Sequence, residues 1–279
     1  SSFAVMVSAG GRNFYIFDES VPGVIRYKPT ADAPKDKDKV QAWVMGQDRS
    51  YPALHGNSVI PEKWTLFARD AFSGVLLWKR PLKDWDFRHT RTLKLRYVSS
   101  SVQRALVAGG DYLFTTDRYR GSATVLDASS GKVLRTIKGT DGTDEIILAD
   151  GTLYLRVRSD AFSGIVAADP EKGKILWKHK EKEYNPVSMA VSGEHLVYNN
   201  RKQFICLSAK DGRELWKKDS PKERRFIYNG GPTVIIADNR VVVGSSFGVL
   251  ALNKQTGETE WTRKISPKGA LKDVDTFVI

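Results

Sequence analysis

The sequence predicts an all-β fold, a β-propeller of four-stranded antiparallel blades with five blades visible and a sixth cut short. Three observations carry this. One pattern returns five times: a small residue, any residue, a turn-forming residue, three more, Gly, three more, then Trp in four of the five copies. The glycines of the pattern stand at 74, 131, 173, 212 and 257, a period of about forty residues with an insertion early. Between them run short segments rich in Val, Ile, Thr and aromatics, broken by Gly, without the sustained 3.6-residue spacing of a helical solenoid. Composition agrees, since 41% of the 279 residues are hydrophobic and 27% charged, enough for a packed core and too apolar for a disordered chain.

Taken in order, the first copy is Ala68, Asp70, Gly74 and Trp78, and the second is Val125, Asp127 and Gly131 with Arg135 in place of Trp. The third is Ala167, Asp169, Gly173 and Trp177; the fourth Cys206, Ser208, Gly212 and Trp216; the fifth Ala251, Asn253, Gly257 and Trp261. Each reads as a β-hairpin, because an Asp, Asn or Ser side chain can accept the amides of its own turn and Gly supplies positive φ where the chain reverses. The flanking strands are Trp64 to Ala68 and Val75 to Trp78, Ala123 to Leu126 and Val133 to Ile137, Ile165 to Ala167 and Ile175 to Trp177, Phe204 to Leu207 and Glu214 to Trp216, Val249 to Leu252 and Thr259 to Thr262. A second hairpin precedes most copies, as in Ile146 to Leu148, Asp150-Gly151 and Thr152 to Val157, or Thr233 to Ile236, Asp238-Asn239 and Val241 to Val243. Two hairpins per period make four strands, and a Trp in constant register suits packing between neighbouring sheets.

The boundaries follow. The first blade starts with Ala4 to Val7 and Asn13 to Phe17 around Gly10-Gly11, then is interrupted by a proline-rich, charged insertion over about 22–62. Blades two to five take in Ala105 to Ile137, Glu145 to Lys178, Val187 to Lys217 and Pro232 to Ile265, and the tail Asp273 to Ile279 restarts an extended run. The whole of 1–279 is expected to be one incomplete propeller domain, its open sheet faces covered by further blades of a longer parent chain or by another protein.

At the stretch Ala68-Arg69-Asp70-Ala71-Phe72-Ser73-Gly74-Val75-Leu76-Leu77-Trp78 the sequence resembles the PQQ-like β-propeller repeat family, and the resemblance spans roughly Val5 to Ile265. It is similar to the version in secreted multidomain bacterial proteins of planctomycete type. The resemblance implies that Trp78, Trp177, Trp216 and Trp261 each dock onto the neighbouring blade, with Arg135 departing from the pattern. It also implies a periplasmic or secreted location; the sequence starts at Ser1 without a basic, apolar leader, so any targeting segment is expected to have been removed or to lie outside it.

The family includes quinoprotein dehydrogenases that use PQQ and Ca²⁺, framed by a Cys pair or equivalent cap, a stacking Trp, an Arg, calcium-binding carboxylates and amides, and a catalytic Asp. A fold does not confer that chemistry. Cys206 is the one cysteine, and it occupies the small-residue column of the repeat. Asp70, Asp127 and Asp169 are accounted for by turns. Gly244-Ser245-Ser246-Phe247-Gly248 matches a nucleophile-elbow pattern but joins two strands, so it is a hairpin turn. His55, His89, His179 and His195 lack metal-ligand spacing and are expected in loops or at the surface. Gly131-Lys132 precedes Val133, so no phosphate loop is present. No catalytic, cofactor-binding or metal-binding residue is assigned, and no cofactor is expected.

The net charge of +12 favours anionic partners. Its densest group, Arg80, Lys83, Arg88, His89, Arg91, Lys94, Arg96 and Arg104, reads first as a solvated connection and second as a contact for an acidic polymer. The charge is spread through the chain rather than gathered in one arm, so nucleic acid is not the expected partner. No apolar run is long enough to span a bilayer as a helix. The expected function is a noncatalytic binding or scaffold module of an exported bacterial protein, like the scaffold propeller of outer-membrane assembly machinery. The alternatives are a PQQ- and calcium-dependent dehydrogenase with its site in blades outside this sequence, and a module binding polyanions or acidic glycans.

Overall fold

The five turn motifs each close a hairpin, and each hairpin forms half of a four-stranded antiparallel sheet. The computed structural model describes residues 3–19, 26–27, 58–59, 63–85, 104–185, 187–221, 232–245 and 248–264. Blade one is built from β1 (Phe3–Ala9) and β2 (Arg12–Asp18), then, beyond the short pair β3 (Arg26–Tyr27) and β4 (Ser58–Val59), β5 (Trp64–Asp70) and β6 (Leu76–Pro81). Blade two is β7 (Val107–Gly109), β8 (Tyr112–Thr116), β9 (Ala123–Asp127) and β10 (Val133–Thr136). Blade three is β11 (Thr143–Ala149), β12 (Thr152–Arg158), β13 (Ser163–Asp169) and β14 (Lys174–Lys180). Blade four is β15 (Ala190–Ser192), β16 (His195–Asn199), β17 (Gln203–Ser208) and β18 (Glu214–Asp219). Blade five is β19 (Thr233–Ala237), β20 (Arg240–Ser245), β21 (Gly248–Asn253) and β22 (Thr259–Lys264). Strands in each sheet lie in chain order, the arrangement consecutive hairpins dictate.

The chain divides into two compact units, Ser1–Thr136 with blades one and two and Ile137–Ile279 with blades three to five. Within the first unit β1 lies beside β7, and within the second β15 lies beside both β11 and β19. Within each unit the first strands of successive blades are therefore neighbours, and the fourth strands form the opposite, outer edge of each sheet. Burial follows that order. The middle strands β12 and β13 are buried at five consecutive positions. The outer strands β6, β10 and β22 have no buried residue, while β14 and β18 bury only Trp177 and Trp216.

The repeat has one register in every blade. Trp78, Trp177, Trp216 and Trp261 stand directly opposite Ala68, Ala167, Cys206 and Ala251, and Arg135 stands opposite Val125 in the same place. A β-bulge follows each time, on Leu77, Leu134, Leu176, Leu215 and Glu260, which are the residues just before the Trp or Arg. The bulge puts an extra residue into the outer strand, so it returns to the turn with the indole on the inner face. The small residue is required because an indole lies across it. Strands extend one to three residues beyond most of the sequence-based limits.

The tail 273–279, and with it the sixth blade, lies outside the described residues, as do most of the insertion 22–62 and the centre of the basic stretch, 86–103. No helix of the described residues is long and apolar enough to cross a membrane.

Candidate functional site

Three indoles make the same contact with the next blade in chain order. Trp78 Nε1 donates to the Ala128 carbonyl at 3.0 Å, Trp177 Nε1 to Ala209 at 2.9 Å, and Trp216 Nε1 to Lys254 at 2.7 Å. Each acceptor is the residue just after the turn former. The ring then lies against the turn glycine, so that a Cβ on Gly131, Gly212 or Gly257 would come within 2.6–2.7 Å of an indole carbon. These glycines have φ between +69° and +74°, so the position excludes other side chains twice, by conformation and by space. In four of the five copies the repeat turn is preformed by an Asx residue. Asp70 Oδ1 accepts the amides of Phe72 and Ser73, Asp169 Oδ1 those of Glu171 and Lys172, and Asn253 Oδ1 those of Gln255 and Thr256. Hydroxyls of Ser129 and Ser130 and the Ser130 amide hold Asp127, whose carboxyl is lowered to about 2. Backbone hydrogen bonds likewise lower Asp70 and Asp169. The repeat carboxylates are thus held by their own turns.

The main polar cluster lies in blades three and four, at the end of the sheets opposite those turns. It gathers the start of β11, the end of β12, the start of β13, and the β14–β15 connection. Arg156 is fully buried; its guanidinium donates to the carbonyls of Val157 and Gly164 and to Ser163 Oγ, and lies 4.6 Å from the Tyr184 ring centroid. Its Nε has no acceptor among the described residues. Tyr184 Oη donates to the buried carboxylate of Glu145. Burial first, then the charge of Glu145, pushes the Tyr184 phenol well above its usual range, so it remains a neutral donor. Tyr198, stacked on Tyr184, donates to Glu181 at 3.3 Å and lies 3.2 Å from His179 Nε2. Burial also raises its phenol, and burial lowers Arg156. Asn185, Ser188 and Asn199 continue the network through the connection. These groups mostly bind one another and the backbone, an arrangement that fixes strand ends and loops.

Sequence reasoning missed this cluster. The available signal was an Arg inside the otherwise apolar run Leu153 to Val157, at the strand position held by Thr116 in blade two and Asn199 in blade four. In the first unit an open pocket of about 170 Å³ lies between the end of β6 and blade two, with Arg80 and Lys83 on one side and Thr115, Thr116, Asp117 and Thr136 on the other.

The residues weighed in the sequence fall as follows. Cys206 is fully buried opposite Trp216, and burial raises its thiol to about 12, which leaves it packed and un-ionised. Ser245 pairs with Gly248 across a strand-to-strand connection, so no helix follows the serine; Ser246 and Phe247 lie outside the described residues. The histidine expectation needs correction. His195 opens β16, is buried, and lies 3.1 Å from Gln255 Oε1, while His179 sits within β14 against Tyr198. Alternation along those strands turns both imidazoles toward a neighbouring element rather than out into a loop. His55 and His89 lie outside the described residues. Arg80, Lys83 and Arg104 of the basic stretch are described, and Arg80 Nη1 donates to the Gly131 carbonyl at 3.2 Å.

A family model described as outer membrane protein assembly factor BamB matches residues 62–201 and again 161–274. The chain belongs to this PQQ-like propeller family. Among curated relatives, the polyvinylalcohol dehydrogenase of Sphingopyxis sp. is 27% identical over 259 residues, covering 83% of this chain and 36% of that protein. The assembly factor BamB of Burkholderia pseudomallei is 29% identical over 172 residues, 58% of this chain and 42% of that one. The chain therefore spans less than half the length of either. Among solved structures, BamB from Moraxella catarrhalis superposes with a TM-score of 0.52 at 16% identity, over 74% of this chain and 61% of that one. The quinohemoprotein alcohol dehydrogenase of Comamonas testosteroni gives 0.53 at 13% identity, over 76% and 42%. Both confirm the all-β propeller fold.

Cys206 has no cysteine partner in the sequence and is sealed beneath an indole. Among the described residues no three His, Cys, Asp or Glu side chains come together to hold a metal ion.

Proposed function

We propose that this chain is a noncatalytic, protein-binding scaffold segment of an exported bacterial assembly. The observation that carries the reading is what the first blade leaves open. Phe72 is 93% exposed, and Val75, Leu76 and Leu77 are exposed just after it along the turn and outer strand, while the buried polar groups of blades three and four serve their own backbone. An exposed apolar run from Phe72 to Leu77 suits a macromolecular partner better than a small substrate. Family membership supports the same reading, since one branch is an assembly factor, and it supports a periplasmic or secreted setting.

Dehydrogenase relatives make quinone binding the reading to test against. A ligand held at a hundredfold above its Kd stabilises the folded state by about 2.7 kcal/mol, and the melting temperature would rise by about 5–10 °C. The scaffold reading expects no shift when PQQ and Ca²⁺ are added together, and no dye reduction with alcohols. A saturable shift accompanied by turnover would replace it with the enzyme reading.

A further inference from the structure

We propose that the pocket between blades one and two binds a hydroxylated carboxylate, the acidic sugar residue of a glycan. The pocket lies wholly within the first compact unit and has a volume of about 170 Å³. It exists because blade two departs from the repeat. On the face that this blade turns to blade one, Thr115 pairs with Thr124. At the same place the other blades carry Tyr15 with Phe67, Leu155 with Val166, Tyr198 with Ile205, and Val243 with Leu250. Tyr198 and Ile205 fill the contact with blade three in the second unit. Two threonines are smaller than any of those pairs, so they leave space and hydroxyls where the other blades have apolar packing. Thr136, opposite Thr124 on the outer strand, adds a third hydroxyl to a row that crosses three strands.

Thr115 is the group that points to a ligand. It is 2% exposed and lines the pocket, yet its Oγ1 has no hydrogen-bond partner among the described residues. A buried hydroxyl without a partner is destabilising and rare in folded proteins, so one at a pocket wall calls for a partner that arrives from outside. Its neighbour is already ordered, since Thr124 Oγ1 donates to the Ser122 carbonyl at 3.2 Å and lies 3.3 Å from Thr136 Oγ1. The wall opposite is cationic and fixed. Arg80 Nη1 donates to the Gly131 carbonyl at 3.2 Å, which holds the guanidinium at the pocket while its fork keeps further N–H donors for a carboxylate. Lys83 is carried by a short segment anchored on both sides. The Leu82 amide donates to the Trp64 carbonyl at 2.9 Å, the Tyr119 amide donates to the Asp84 carbonyl at 3.0 Å, and Trp85 is buried.

Each wall asks for a different ligand atom. Arg80 and Lys83 call for negative charge, and the threonine hydroxyls both donate and accept. Asp117, paired with Arg118 at 3.3 Å, can only accept, so it suits a ligand hydroxyl. Sulfate would meet that carboxylate with nothing to donate, and a neutral sugar would leave the cations unused. A sugar acid offers one carboxylate and several hydroxyls on a single ring. The volume agrees, because it falls below the about 300 Å³ at which pockets for drug-sized ligands begin, and takes one ring rather than a length of chain. The net charge of +12 attracts acidic polymers without choosing among them; this pocket supplies the choice. The site goes beyond the scaffold reading and does not rest on it.

Titration of the full chain, its threonine methyls labelled with carbon-13, with sodium glucuronate tests this by NMR. The methyl signals of Thr115, Thr124 and Thr136 should move together and saturate, while those of Thr233 and Thr256 in blade five stay in place. Glucose and sulfate, each lacking half of the ligand, should bind about tenfold more weakly or worse. Thr115→Val keeps the shape of the side chain and removes the unpartnered hydroxyl, so it should weaken glucuronate binding about tenfold while thermal stability holds or rises. Lys83→Ala, a change at an exposed residue, should weaken binding about threefold or more at low salt and less at high salt. The proposal is overturned by a glucuronate titration without saturable shifts, by shifts spread evenly over all threonines, or by a Thr115→Val chain that binds like wild type. Sulfate binding as tight as that of glucuronate overturns it too. None of these outcomes bears on quinone binding, so the scaffold reading stands or falls separately.

Discussion

At Gly257 the backbone sits at φ +72° and an added Cβ would meet the Trp216 ring at 2.6 Å; at Gly74 the φ is the same and the space is open. The pair separates two costs that usually come together. In dilute protein, Gly74→Ala should lose about 1–2 kcal/mol from left-handed strain alone. Gly257→Ala should lose a further 1–3 kcal/mol as the indole is pushed off its seat. Urea midpoints for the two variants give the difference, and equal losses would mean the indole yields without cost. Asp127 offers a second test at this scale. Its carboxyl is lowered from 3.8 to about 2, mainly by the Ser129 and Ser130 hydroxyls. The folded value lies below the unfolded one, so the stabilisation is present above about pH 4 and is lost as pH falls towards 2. Asp127→Asn keeps the turn, as Asn253 does in blade five, but removes that proton linkage. The stability gap between wild type and variant should therefore shrink on acidification from pH 6 to pH 3, measured by urea unfolding at each pH.

Among the elements, the connection from β14 to β15 depends on buried polar groups rather than on apolar packing. Tyr184 bridges Glu145 on β11 and the Arg156 guanidinium on β12, so one phenol ties the loop to two strands. Tyr184→Phe keeps the ring over Arg156 and leaves the buried carboxylate short of a donor, a loss of about 1–3 kcal/mol. Amide hydrogen exchange should show faster opening at 184–189 than in β13. Unchanged exchange there would show that another donor replaces the phenol. The hairpins were legible from sequence because their signals are local: an Asx residue, a Gly four residues on, a Trp four beyond that. The Glu145–Tyr184–Arg156 contact was not legible, because its members are 39 and 28 residues from Tyr184 and no periodic pattern links them.

For the whole chain, a net charge of +12 gives a long-range attraction to anions independent of any pocket. Retention on a sulfated polysaccharide resin should fall steeply as salt shortens the screening length from about 10 Å at 0.1 M to about 3 Å at 1 M. Retention that persists at high salt would point instead to a shaped site.

The sequence by itself determined the blades. Turn chemistry, the small residue and the Trp are short-range features; the turn and small residue return five times and the Trp four, at a period of about forty residues, and each return closes one hairpin of a four-stranded blade. Tertiary structure decided which indoles are covered. Trp177 and Trp261 are equivalent in the repeat, yet one is sealed by the next turn and the other lies 41% exposed, because burial belongs to the neighbour a side chain meets and not to the motif that carries it.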